Sequence, residues 1–229
     1  MMIFEDNTLR AIVIKTSGNG FQNYCYLLYE KQSKEGVLID PSWEADIINS
    51  ILYDHKVALR HVLLTHSHFD HINLSDYYTR INGVPAWLSD KEISHYSPSL
   101  KNLEPFESGH RIALGDHCIT AITTPGHTKG SACFLANHFL FTGDTLFPEG
   151  CGICTCEGGN PNDMFSSIQL LKSCLSDSVK IFQGHNYGIA PGMSFQLIKK
   201  QNIYMQIEHE DTFVKFRMRS NQKDYMEFK

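Results

Sequence analysis

The sequence predicts an α/β protein in which two mixed sheets are flanked by helices. Three observations lead there. Apolar runs of strand length dominate residues 9 to 65, yield to helical periodicity, and return after residue 110. Histidines and aspartates recur where such runs end, a placement that would deliver them to one shared edge. No repeat, low-complexity segment or linker divides the 229 residues, so one domain spanning 1–229 is expected.

Taken in order, "LRAIVIKTS", "NYCYLLYE" and "EGVLIDP" are β-branched and aromatic runs bounded by turn residues and read as strands. "EADIINSILYDHK" follows with apolar residues at helical spacing. "LRHVLLT" is a further strand, and "INLSDYYTRI" reads as the helix after it. "RIALG", "CITAITT", "ACFLAN" and "FLFTGD" are short strands joined by Gly and Asn-His turns. "NPNDMFSSIQLLKSCL" carries a helix start signal, with Asn160 as N-cap, Pro161 at the first helical position and Asp163 in the first turn. "VKIFQGH" is a strand ending in histidine, and "MSFQLIKKQNIYMQI" reads as one closing helix.

Composition narrows the function. A hydrophobic content of 42% supports a sizeable core, and a net charge of −5 offers no broad basic footprint for nucleic acid. The acidic "MMIFEDNTLR" lacks the charge and apolar core of a signal peptide, and no run reaches the roughly 20 apolar residues of a membrane span. A soluble, cytoplasmic protein without a membrane partner is expected. Seven cysteines suit reduced thiols better than a disulfide framework. Charge is uneven, with seven basic against five acidic residues from Ser194 to Lys229, so this end could face an acidic partner.

The chemistry concentrates in "THSHFDH", residues 65–71. Extended backbone after a strand lets His66 and His68 converge on one point, and the turn that follows re-aims Asp70 and His71 toward a second. Two adjacent points suggest two metal ions, because imidazole nitrogen and carboxylate oxygen are donors that zinc and iron accept. His127 in "TPGHT", Asp144 in "FTGDTLF" and His185 in "FQGHNY" each follow a glycine at a predicted strand end. Read singly they would serve a turn, a cap and a surface; together with the first cluster they complete a ligand set.

These residues resemble the metallo-β-lactamase superfamily, whose His-x-His-x-Asp-His motif, later His, bridging Asp and final His are all matched. The resemblance implies a four-layer αβ/βα sandwich with the site along one edge. It implies that His66, His68 and His127 hold one divalent cation and that Asp70, His71 and His185 hold the other, with Asp144 bridging. Zinc is the expected metal, although iron and manganese accept the same donors. Asp40 in "LIDPSW" matches an aspartate that supports the site from behind the ligands, and it also reads as an Asp-Pro turn.

Within the superfamily, "GDTLFPEGCGICTCEGG" is similar to the glyoxalase II branch, thioester hydrolases acting on a glutathione ester. Here Ile153 stands where that branch places a basic glutathione contact, and 44 residues follow His185 where it carries a longer helical domain. Tyr187 matches a tyrosine of that branch and, with Ile153, is a candidate substrate contact. "GNGFQNYCYL", "DPSW", "EGCGIC" and "FVKFRMRSNQK" more closely resemble zinc-dependent hydrolases of bacterial polyketide gene clusters. That resemblance implies hydrolysis of acyl thioesters carried by an acyl carrier protein, whose acidity would suit the basic end. Asp70 would act catalytically by accepting a hydrogen bond from the attacking hydroxide. The alternatives are a glyoxalase II-type hydroxyacylglutathione hydrolase and a persulfide dioxygenase of the superfamily, with one iron; the latter would leave Asp70, His71 and His185 without metal. Cys151, Cys154 and Cys156 lack the fourth ligand of a usual cluster and are expected to pack.

Overall fold

The computed structural model describes residues 1–220. The chain opens with an antiparallel meander, β1 (Met2–Glu5), β2 (Leu9–Gly18), β3 (Phe21–Glu30) and β4 (Glu35–Ile39). Helix α1 (Ala45–His55) crosses over so that β5 (Ala58–Leu63) pairs in parallel with β4. After α2 (Phe69–Ile72) and α3 (Ser75–Asn82), β6 (Ala86–Ser89), α4 (Asp90–Tyr96) and β7 (Leu103–Phe106) complete a seven-stranded sheet ordered by sequence. The second sheet holds β8 (Arg111–Leu114), β9 (His117–Thr123), β10 (Ala132–Ala136), β11 (Phe139–Gly143), β12 (Lys180–Gln183) and β13 (Met193–Ser194). Its β11 and β12 are parallel, connected through α5 (Pro161–Cys174), and α6 (Phe195–Gln201), α7 (Ile203–Gln206) and α8 (Glu210–Arg217) follow.

Period-two alternation decides which side chains meet which layer. On β2, Leu9, Ala11 and Val13 face the second sheet, where Phe134, Phe139, Phe141 and Phe182 receive them. Ile12 and Ile14 point the other way, onto Ile48 of α1 and Tyr78 of α3. The outer face of the second sheet is covered by Met164, Ile168 and Leu171 of α5 with Phe195 and Phe213. Both sheets are thus buried on both faces, which is why "LRAIVI" is nearly continuously apolar. The result is the expected sandwich of two sheets between helices. No helix among the described residues is long and apolar enough to cross a membrane.

Several elements depart from the sequence reading. The helix expected over "INLSDYYTRI" is broken, α2 ending at Ile72 and α3 starting at Ser75. The closing helix is broken too. At Asn202 the side-chain amide donates to the carbonyls of Phe147 and Gly150, 2.9 Å each, while its Oδ1 accepts from the Tyr204 N–H at 2.9 Å, so one side chain ends α6, starts α7 and anchors a distant loop. The short β1, β6, β7, α4 and α8 come in addition to the elements read from the sequence. The basic end is less uniform than its composition: Arg217 is buried and donates to the Tyr204 hydroxyl at 3.1 Å, and Lys199 pairs with Asp177 at 2.5 Å. Lys200, Lys215 and Arg219 are exposed, and Lys223 and Lys229 lie outside the described residues. Cys151 and Cys154 pack in the apolar layer with Leu146 and Met164, where burial pushes both thiols up.

Candidate metal centre

Each predicted ligand leaves a strand of one sheet or the other at the same edge. His66 and His68 lie on extended backbone after β5, and the single turn of α2 then carries Asp70 and His71. His127 sits in the β9–β10 loop, Asp144 directly follows β11, and His185 lies just past β12. Two of the glycines before them are required by close approach. A β-carbon on Gly143 would run into the Thr65 side chain, and one on Gly184 would run into Asp144 Oδ1 and the His71 ring.

Ligand atoms converge in two groups. His66 Nε2 and His127 Nε2 each lie 3.1 Å from His68 Nδ1. His71 Nε2 and His185 Nε2 face each other at 3.2 Å, with Asp70 Oδ2 at 3.6 and 3.3 Å from them. Asp144 lies between the groups: Oδ1 is 3.6 Å from His71 Nε2, and Oδ2 is 3.2 Å from His185 Nε2 and 3.5 Å from His127 Nε2. Within His66–His68–His127 and within Asp70–His71–His185, the donor atoms lie within 4.8 Å of one another. Asp40, His66 and His71 form a third such group, but both Asp40 oxygens are engaged from behind, by the Thr65 N–H (2.8 Å), the Thr65 hydroxyl (2.6 Å) and His71 Nδ1 (2.9 Å). Asp40 therefore backs the ligands. It holds this place in left-handed backbone, φ 49°, a strain retained where structure over-determines it.

The protonation pattern shows what the centre is built to accept. His71 Nδ1 donates to Asp40, His127 Nδ1 to the Ile153 carbonyl at 2.8 Å, and His185 Nδ1 to the Gln22 carbonyl at 3.2 Å. The Thr65 hydroxyl gives its proton to Asp40, so it receives one from His66 Nδ1 at 3.0 Å. All four rings thereby point Nδ1 outward and Nε2 inward, toward one another and the Asp70 and Asp144 carboxylates, and Asp144 Oδ1 is buried with no hydrogen-bond partner among the described residues. Cations fit this donor set; protein donors do not complete it. Burial holds His66 well below the usual imidazole range and lowers His127 to about 4, so both are neutral and ready to ligate. Burial also disfavours charge on His71, but Asp70, Asp144 and Asp40 outweigh it and raise that pKa to about 10.

Sequence reasoning missed the supports around the centre. Asn23 donates to Asp70 Oδ2 at 3.0 Å and accepts from the Trp43 indole N–H at 2.8 Å. Thr65 and Gln22 accept from the His66 and His185 rings, and the Glu92 carboxylate accepts from Ser67, Thr128 and Gly130 in the two loops that carry His66, His68 and His127. Only Thr65 lies in the histidine motif; Gln22 and Asn23 come from β3 and Glu92 from α4, far from it in sequence. Tyr187 stacks on the His185 ring at 4.8 Å, and its hydroxyl is pushed up by burial. Tyr187 and Ile153 both line a cavity of about 550 Å³ that opens onto the centre, with Phe21, Phe69, Phe147 and Arg219 among the other walls.

Residues 18–176 match the family model described as the metallo-beta-lactamase superfamily. The chain belongs to that superfamily. The metallo-beta-lactamase fold recurs in the crystal structure of ETHE1 from Myxococcus xanthus, with a TM-score of 0.82, 25% identity and 92% coverage of both chains. The chain is 42% identical to the "Probable polyketide biosynthesis zinc-dependent hydrolase BaeB" of Bacillus velezensis, across 98% of its own length and 100% of that protein. It is 32% identical to the "Hydroxyacylglutathione hydrolase" of Bartonella henselae over 84% of its length and 74% of that protein.

Proposed function

We propose that this metal-dependent hydrolase cleaves thioesters, and that its substrates are acyl groups carried on the phosphopantetheine arm of an acyl carrier protein in polyketide biosynthesis. The observation that carries the reading is the apolar cavity opening on a two-cation ligand set. It has the breadth for an acyl chain or a pantetheine arm, and Ile153, which the sequence resemblance sets at the position of a basic glutathione contact, is among its lining residues. The near full-length similarity to the BaeB hydrolase supports the polyketide setting and zinc as the metal. A cytoplasmic location fits a partner of that kind.

Bound cations would supply hydroxide near neutral pH and polarise the thioester carbonyl. The residues of the chain then do the positioning. Asn23 fixes Asp70 Oδ2, leaving Oδ1 to accept a hydrogen bond from the nucleophile and aim its lone pair. Tyr187 and Phe147 form one wall beside His185, and their rings (5.8 Å between centroids) shield the reacting end from bulk water. Phe21 and Phe69 also line the cavity, and Trp43 bridges them by ring contacts of 6.3 and 5.8 Å, giving an aromatic lip for the arm.

Comparing kcat/KM for an acyl carrier protein, acyl-pantetheine and lactoyl-glutathione tests the reading. The two pantetheine thioesters should be preferred. A clear preference for lactoyl-glutathione would return the chain to hydroxyacylglutathione hydrolysis.

A further inference from the structure

Helix α4 meets both loops that carry the His66–His68–His127 triad, and it does so largely through one side chain. Glu92 is fully buried, and four donors converge on its carboxylate. Oε1 accepts from the backbone N–H and the hydroxyl of Ser67, 2.8 Å each, the residue between His66 and His68. Oε2 accepts from the Thr128 hydroxyl at 2.9 Å and the Gly130 N–H at 2.8 Å, in the loop that carries His127. The Ser89 hydroxyl donates to the Gly130 carbonyl at 2.5 Å, and a β-carbon on Gly130 would run into the Glu92 backbone, so the loop is seated tightly on the helix.

No lysine or arginine among the described residues forms a salt bridge with Glu92. A carboxylate buried without such a partner is unfavourable unless its hydrogen bonds achieve something an apolar side chain cannot. Here they tie two loops, distant in sequence, to opposite oxygens of one rigid planar group. We propose that Glu92 is the positioning residue of the His66–His68–His127 triad, setting the separation of its two loops and with it the cation affinity of that half of the centre. Asp70, His71 and His185 are held separately, by Asn23, Asp40 and Gln22, and lie outside its reach.

Glu92→Gln separates these roles. The amide oxygen can still serve Ser67, but the amide nitrogen then opposes the Gly130 N–H, donor against donor, and frees the His127 loop. Metal-free protein is titrated with Co²⁺, followed by its absorption bands, in two backgrounds. In Asp70→Asn, which leaves the triad as the intact set, Glu92→Gln should weaken Co²⁺ binding about 10–100-fold, the loss usual for a partner behind a metal ligand. In His68→Ala, which leaves Asp70, His71 and His185 intact, Glu92→Gln should leave the affinity unchanged. Unchanged affinity in the first background, or equal losses in both, would overturn the proposal, since a merely structural residue would not discriminate between the halves. If Glu92→Gln fails to fold, Ser67→Ala and Thr128→Val each remove one hydroxyl donor from opposite oxygens, and each should weaken the triad alone. Full triad affinity in both would equally overturn it.

Discussion

Asp144 turns one oxygen toward His71 and the other toward His127 and His185, so a single residue serves both halves of the centre. Asp144→Ala should therefore lower metal content at both positions, and a variant retaining two full equivalents by elemental analysis would contradict the bridging role. Asp70→Asn removes the charge while keeping the shape; it should fold, yet slow hydrolysis by about 10²–10⁴-fold, the range lost with a positioned proton acceptor. His71 adds a pH dependence whose sign can be worked out. Its folded pKa, raised to about 10, lies above the ordinary imidazole value of about 6.5. In metal-free protein it thus contributes stability that is full below about pH 6.5 and is lost as pH rises toward 10. His127, lowered to about 4, acts oppositely, withdrawing stability as pH falls from about 6.5 toward 4. Urea midpoints of the metal-free protein should peak near pH 6.5, and cation binding at pH 8 should expel the His71 proton, detectable calorimetrically in buffers of different ionisation enthalpy.

At the scale of elements, the strand ends determine the centre, and β12 gives the sharpest test. Gly184→Ala places a methyl against Asp144 Oδ1 and the His71 ring, so it should lose metal from a folded protein, whereas an alanine with full metal content would show that the edge can yield. Helix α5 tests local reading alone: Asn160 Oδ1 accepts from the N–H groups of residues 162 and 163, and Asn160→Ala should cost about 1 kcal/mol of stability without touching metal content. These elements were legible because their signals are local. Strand runs, the Asn160-Pro161 start and the glycine before each later ligand all sit within a few residues of what they determine. The breaks at Asn73, whose Oδ1 accepts from the Trp43 N–H at 2.8 Å, and at Asn202 were not, because apolar spacing continues through them and the competing hydrogen bonds come from residues far away in sequence. Glu92 and Asn23 were illegible for the same reason: a buried polar side chain announces itself only through partners on other strands and loops. Arg217 misled in the other direction, its charge reading as surface while its guanidinium lies inside against Tyr204.

For the whole molecule, the sandwich brings two sheets to one edge, and that edge is where the function is concentrated. Cys151 and Cys154 lie in the apolar layer beneath it, while Cys156 is only partly buried and, with Cys151, lines the cavity; changing Cys151, Cys154 and Cys156 to serine should lower the melting temperature while leaving metal content and most activity, and a folded but inactive triple variant would give the thiols a chemical role. With Arg217 buried and Lys199 paired, charge docking of a carrier protein would rest on Lys200, Lys215 and Arg219, and turnover should still fall with added salt as their field is screened. A salt-independent rate would remove that surface from the docking scheme. The central claim is that seven side chains form one two-cation hydrolytic centre. Elemental analysis of protein purified without added metal tests it most directly: close to two equivalents of zinc per chain is the predicted result, and a single equivalent of iron would contradict it.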